Sequence, residues 1–256
     1  MTNGTAQTSQ SLLGRAALLE ALARGFAYPE KGFRDTLTQG RYAEEIADAL
    51  DALDGSLSTS AAATRLHEAL QETRAQADLL EGEYTYLFAR NVVTPSNETS
   101  YGKDQGLQRA RELSDIASFY AAFGFKIISG RNELPDHVGA ELEFLAVLYA
   151  KETYARERGW AQPAELCAQA REKFLREHLG QWMPLLARRL DESARLRFYP
   201  ALAAMAHAVL SEEPYLKVKI TKLEELEPPT DLPPEHEALL RSVKQNLEKS
   251  VSLGKT

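Results

Sequence analysis

The chain has 256 residues, of which 44% are hydrophobic, and it carries a formal net charge of −7 with a pI of about 5.4. This composition excludes wholesale disorder, and an acidic surface repels phosphate, so nucleic acid is not expected as a partner. The single cysteine, Cys167, excludes an intramolecular disulfide. With no secretory signal and no apolar run of membrane-spanning length, we expect a cytoplasmic protein that does not insert into a membrane.

Good helix formers dominate and alternating β-branched runs are almost absent, which predicts an all-α fold of about eight to ten helices. The chain divides into a disordered lead-in at 1–10, a single helical domain at 11–212, and an extended, proline-rich tail at 213–256 with a short charged helix. Two loops are expected within the domain, at 90–105 and 125–135. The predicted helices span about 11–27, 41–53, from Ser58 or Thr59 towards Leu80, 83–89, 107–123, 136–158, 163–179, 181–191 and 193–211.

The stretch 134–145, LPDHVGAELEFL, places ionisable groups inside an apolar helix. Asp136 stands where a carboxylate can cap a helix N-terminus. At about 100° per residue, His137 and Glu141 fall on the apolar arc of that helix, with Gly139 and Glu143 on the other side. Two buried polar groups four residues apart can partner each other and brace the helix, or they can line a groove that recognises a ligand. Both interpretations remain open from the residues alone.

Catalytic and metal-binding interpretations have less support. The chain has no glycine-rich phosphate loop and no G-x-S-x-G motif, and Cys167 lies in mid-helix as a small core residue. The other histidines form no cluster with the spacing of metal ligands, so no metal is expected. His178 follows Phe174 by one turn, and packing in the core is its simpler role. Polar residues in the first loop, Glu98, Ser100 and Tyr101, are more suggestive of recognition.

Five segments in order resemble the cytosolic maturation chaperones of the TorD/DmsD/NarJ type, which are dedicated to molybdenum oxidoreductases. The most specific is ELPDHVGAELEFL at 133–145. The others are Tyr84-x-x-Leu87-Phe88, Pro95 with ETSY at 98–101, Tyr120-x-x-x-Gly124, and FLREHLGQW at 174–182. With the leading helices, the resemblance covers roughly 11–211, and the tail has no counterpart in it.

The resemblance implies a binding protein rather than an enzyme, with no cofactor of its own. Its implied partner is the apo catalytic subunit of a molybdenum oxidoreductase, together with that subunit's twin-arginine signal peptide. The peptide is held while the molybdopterin cofactor is inserted, before export. The Asp–His pair of the family motif is implicated in the peptide site and carries onto Asp136 and His137, while Glu98, Ser100 and Tyr101 match the loop motif.

An arginine-containing apolar peptide needs carboxylates beside an apolar groove, so Glu141 joins the predicted peptide-binding residues. The rival interpretation is a metal- or nucleotide-dependent hydrolase that uses Asp136, His137 and Glu141. A general helical scaffold without a peptide groove is a third. A monomer and a helix-exchanged dimer are both compatible with a fold of long linkers.

Overall fold

The computed structural model describes residues 2–213, apart from 54, 56, 90–93, 102–106 and 128–133. Beyond Glu213, the predicted tail and its charged helix lie outside the described residues, as do parts of both predicted loops. The described chain forms ten α-helices, and its only β-pairing is an isolated bridge between Asn97 and His137. The prediction of an all-α fold is therefore confirmed. The helices are α1 (Thr2–Gly25), α2 (Lys31–Gln39), α3 (Arg41–Asp51), α4 (Ala61–Arg74), α5 (Leu80–Phe88), α6 (Leu107–Ala122), α7 (Val138–Glu157), α8 (Ala161–Glu177), α9 (Leu179–Ser193) and α10 (Phe198–Ser211).

Helix α7 lies at the centre, with α1 packed along its length and α8 against another side. Helix α3 packs against α1, and α10 packs against α4 and α9. Helix α1 approaches α7 closely at Gly139, where a Cβ atom would lie 3.1 Å from the Ala23 carbonyl oxygen. Gly139 is buried, so its predicted position on the side away from the core is wrong. The helix is covered on most of its surface, and a single apolar arc does not describe it.

Several helix boundaries differ from the predicted ones. Helix α1 begins at Thr2 rather than near residue 11, so the described part of the predicted lead-in, residues 2–10, lies within a helix. Helix α2 was not predicted, and Gly40, with a φ of 83°, separates it from α3. Ser60, not Ser58 or Thr59, caps α4 by accepting a hydrogen bond from the Ala63 amide at 3.1 Å. The helix predicted to continue towards Leu80 ends at Arg74, and a 3₁₀ turn at Ala77–Leu79 leads into α5.

Candidate functional site

The segment 94–101 crosses the N-terminus of α7 and is bonded to it through the backbone. The Glu98 amide donates to the Asp136 carbonyl at 2.9 Å, and the Val138 amide donates to the Ser96 carbonyl at 2.9 Å. These two bonds flank the isolated bridge between Asn97 and His137. The two sequence segments that carry the predicted site residues, separated by almost forty positions, are thereby brought into direct contact.

The Asp136 carboxylate is completely buried and holds this segment in place. One oxygen accepts from the Asn97 side-chain amide at 2.9 Å. The other accepts from the Thr99 amide at 3.2 Å and from the Thr99 hydroxyl at 2.6 Å. Three hydrogen bonds to one carboxylate offset the cost of burying it, so the group needs no further partner. The predicted capping role of Asp136 is wrong, because its side chain turns towards the loop rather than the helix.

His137 is the residue that caps α7. Its backbone is extended, and its Nδ1 atom accepts a hydrogen bond from the Gly139 amide at 3.1 Å. Burial lowers the pKa of His137 from 6.5 to about 4, against an opposing effect of the Asp136 charge. The ring is therefore neutral, with its proton on Nε2, and that buried atom has no hydrogen-bond partner in the described part of the protein. The His137–Glu141 pair, one of the two interpretations left open by the sequence, is not formed.

Glu141 contacts Trp182 and Glu98 instead. One carboxyl oxygen accepts from the indole N–H of Trp182 at 3.2 Å, and the side chain is completely buried. Burial, together with the neighbouring Glu98 carboxylate, raises the pKa of Glu141 well above its usual value. Oε1 of Glu141 and Oε2 of Glu98 are both buried and lack a donor if both groups are ionised. A proton on Glu141, donated to Glu98, gives both oxygens a partner.

His178 extends the same network and was not among the predicted site residues. Its Nδ1 lies 3.2 Å from Glu98, and its Nε2 lies 3.4 Å from Asp115 of α6. Burial by itself lowers the pKa of His178, but the hydrogen bond and charge of Glu98, together with Asp115, raise it overall. The aromatic rings of Phe119 and Phe174 pack against the imidazole, so its predicted packing role describes part of its environment. The resemblance of the segment FLREHLGQW at 174–182 to the family was the sequence signal that could have added His178 to the predicted site.

Tyr101 and Ser100 complete the predicted set. Tyr101 is buried; its hydroxyl donates to the Pro95 carbonyl at 2.8 Å, and its ring packs on Trp182 with centroids 5.2 Å apart. Ser100 is half-buried. All six predicted residues thus lie in one cluster, but four of them, Asp136, His137, Glu141 and Tyr101, are enclosed by protein.

The solvent-facing edge of this cluster combines acidic and apolar groups. The Glu98 side chain is 13% exposed, and the Asp115 side chain is 60% exposed. Leu134 has an exposed fraction of 43%, although it is a large apolar residue. The segments 90–93, 102–106 and 128–133 adjoin the cluster in sequence and lie outside the described residues.

The described residues give no support to a metal-dependent site. Within 2–213, gaps excepted, no group of three His, Cys, Asp or Glu side chains is arranged to hold a metal ion. Asp136, which the hydrolase interpretation requires, already accepts three hydrogen bonds. In the same part of the chain, every helix is too short or too polar to cross a bilayer.

Comparison with known proteins identifies the family. The family model described as "Nitrate reductase delta subunit" matches residues 51–188, more than half of the chain. The chain belongs to this family. The match covers α4–α8, most of α9 and all five segments that carried the sequence resemblance, and it includes the whole candidate site.

Individual relatives agree with this assignment. The chain is 30% identical over 191 residues to the selenate reductase assembly chaperone protein of Thauera selenatis, covering 73% of this chain and 83% of the relative. It is 28% identical over 195 residues to the perchlorate reductase assembly chaperone protein of Dechloromonas aromatica, covering 76% and 85%. The chaperone protein TorD of Vibrio cholerae is 27% identical over 178 residues, covering 67% and 79%. The resemblance to TorD-type maturation chaperones is therefore confirmed.

Proposed function

We propose that this protein is an assembly chaperone for the catalytic subunit of a molybdenum oxidoreductase, acting in the cytoplasm by binding and not by catalysis. The observation that carries the proposal is the similarity, over about three quarters of the chain, to relatives named as assembly chaperones of selenate and perchlorate reductases. The client is the apo subunit with its twin-arginine signal peptide, held while molybdopterin is inserted before export. The chaperone itself carries no cofactor, and it acts as a monomer or as a helix-exchanged dimer.

The client peptide binds along the edge formed by segment 94–101 and the start of α7. Glu98 and Asp115 offer carboxylates there, and Leu134 offers apolar surface. A signal peptide that joins arginines to an apolar stretch complements both features. The partly enclosed position of Glu98 favours a charge pair with a guanidinium, because screening by solvent is weaker there than on an open surface.

The buried members of the predicted set shape this edge from beneath. Asp136 fixes the backbone of segment 94–101, and His137 fixes the first turn of α7. Glu141 and Tyr101 meet at Trp182, one from each side of the contact. In this proposal they contribute to peptide binding by holding Glu98 and Ser100 in position. The residues of the exposed edge contact the peptide directly.

The test is calorimetric titration of a synthetic twin-arginine signal peptide from a molybdoenzyme catalytic subunit of the same organism. Glu98→Gln should weaken binding about tenfold or more, which corresponds to about 1.4 kcal/mol. Leu134→Ser should weaken binding by removing apolar contact area. Glu68→Gln is the matched control, since Glu68 is an exposed acid on α4. Equal affinity in all four proteins, with unchanged melting temperatures, would place the peptide elsewhere.

A further inference from the structure

A groove between α1 and α3 lies outside the candidate site and has a volume of about 420 Å³. Small apolar residues line it: Gly14 and Ala49 are buried at its floor, and Ala17 is exposed. The two helices are in close contact at Gly14, where a Cβ atom would lie 3.0 Å from the Cβ of Ala52. A groove of this volume can hold a few side chains, and its apolar floor can pack against a narrow apolar face of another segment.

The rim of the groove is acidic. Glu20, Glu45 and Asp48 line it together with one basic residue, Arg24, which is paired with Glu45. Leu13, also on the lining, is 47% exposed despite its size. An occupant that complements this groove has a narrow apolar face with basic residues beside it.

The described chain ends against α1, one of the two helices that form this groove. Glu212 pairs with Arg15 of α1, and Glu213 contacts Tyr149 and Arg171. Arg15 follows Gly14 along α1, but it is not itself part of the lining of the groove. The last described residues are therefore anchored against α1, and 43 residues follow Glu213 in the 256-residue sequence (256 − 213).

The sequence of that remaining segment has the required pattern. Leu239, Val243, Leu247 and Val251 recur every four residues, which is typical of one narrow face of a helix. Arg241, Lys244 and Lys249 lie between them. The connection from Glu213 to Leu239 spans 26 residues (239 − 213) and reaches up to roughly 90 Å when extended, more than a domain of this size requires.

We propose that residues 239–251 of the same chain occupy the α1–α3 groove, with the apolar face on the small residues and the basic side chains against the acidic rim. A tethered segment of this length is present at an effective concentration of the order of millimolar, so a weak intrinsic affinity is sufficient for occupancy. The proposal does not depend on the chaperone function, since it uses residues of α1, α3 and the C-terminal segment only.

The test is disulfide trapping in the full-length chain. Ala17→Cys, on the exposed lining of the groove, is combined with Val243→Cys in a Cys167→Ala background. The matched control combines Val243→Cys with Gln169→Cys, an exposed position on α8. Under mild oxidation at low protein concentration, the intramolecular disulfide should form about tenfold faster in the first pair than in the control, as expected for a docked segment over a freely diffusing one.

Two further variants separate docking from proximity. Leu239→Asp with Leu247→Asp, added to the first pair, should bring the rate down to that of the control, because the apolar face is lost. Glu20→Lys with Asp48→Lys should also slow trapping by reversing charges on the rim.

Equal rates for the two cysteine pairs would overturn the proposal. A disulfide that forms only between two chains would also overturn it, by showing that a second copy occupies the groove. Melting temperatures of all variants confirm that the domain remains folded.

Discussion

The imidazole of His137 is buried as a hydrogen-bond acceptor, so the folded protein requires it to be neutral. The Nδ1 atom cannot accept from the Gly139 amide once it carries a proton. Burial opposes the charged form as well, which is why the pKa of His137 falls to about 4. The cap of α7 is thus an imidazole, whereas most helix caps are hydroxyls, amides or carboxylates.

The first prediction concerns this cap and acid. Unfolded His137 takes up a proton as the pH falls below 6.5, and the folded form does so only near its pKa of about 4. Its contribution to the free energy of unfolding is therefore present above pH 6.5 and is lost by about 1.4 kcal/mol per pH unit below it, reaching about 3 kcal/mol. His137→Asn keeps a capping group but does not titrate. In urea unfolding between pH 7.5 and 4.5, the free energy of unfolding of wild type minus that of His137→Asn should decrease as the pH falls. A difference that stays constant with pH would contradict this.

The Asp136 carboxylate supports the second prediction. In Asp136→Asn, one oxygen becomes an NH₂ group that must face the donors of Asn97 or Thr99. We expect a loss of about 1–3 kcal/mol in the free energy of unfolding, because a buried donor is left without an acceptor. Thr99→Val removes only the hydroxyl donor, and the double variant should be less destabilised than the sum, with a coupling of at least about 0.5 kcal/mol. Additive effects in urea unfolding would show that the observed bonds do not couple the two residues.

Among the elements, segment 94–101 is held on α7 and α9 by a chain of polar contacts. Trp182 of α9 donates to Glu141 of α7, and Glu98 of the segment lies between Glu141 and His178. A neutral, protonated Glu141 satisfies every atom between the indole and Glu98. The raised pKa of Glu141 favours this protonated form.

The third prediction follows from that proton. The pKa of folded Glu141 is raised above its ordinary value of 4.5, so the stability it contributes is full below pH 4.5 and is lost as pH rises through the folded pKa. Glutamine mimics the protonated form at all pH values. Glu141→Gln should match wild type near pH 4 and exceed it at pH 7, with the difference growing by up to about 1.4 kcal/mol per pH unit.

The control for this prediction is Glu141→Leu, which preserves bulk but leaves Trp182 and Glu98 without their partner. It should be less stable than Glu141→Gln by about 1–3 kcal/mol at pH 7. Urea unfolding of wild type and both variants at pH 4 and 7 measures both differences. A wild type that is more stable than Glu141→Gln at pH 7 would show that Glu141 is ionised in the folded protein.

At this scale the sequence predicts some elements and misses others for identifiable reasons. Long helices such as α7 and α8 follow from helix-forming composition and apolar spacing. Helix α2 was missed because its nine residues contain Gly32 and bury only Leu37, too little for a periodic signal. The grouping of the polar cluster was predicted from the family resemblance, but the hydrogen-bond partners of Asp136 were not predicted. Thr99 and Asn97 lie 37 and 39 positions away, and helix periodicity carries no information about such contacts.

Across the whole molecule, a buried ion network joins helices that are distant in sequence. Glu152 of α7, which is 1% exposed, pairs with Arg171 of α8 and with Arg156 one turn along α7. Arg171 also contacts Glu213 after α10 and lies over the ring of Tyr149. The network thus links the central helix to α8 and to the last described residues of the chain.

The last prediction compares two ways of breaking that network. Glu152→Ala leaves the Arg171 guanidinium largely buried without its main carboxylate, and should lower the free energy of unfolding by about 3–5 kcal/mol. Arg156→Ala removes the other partner of the same carboxylate, but that side chain is 40% exposed and Arg171 remains, so a loss of about 0–1 kcal/mol is expected. Urea unfolding at pH 7, followed by circular dichroism, measures both. Because Arg171 still joins α8 to Glu213 after α10, Glu152→Ala should still unfold in a single transition. Similar losses in the two variants would mean that Arg171 is stabilised equally well by Glu213, and that the link between α7 and α8 rests on apolar packing alone.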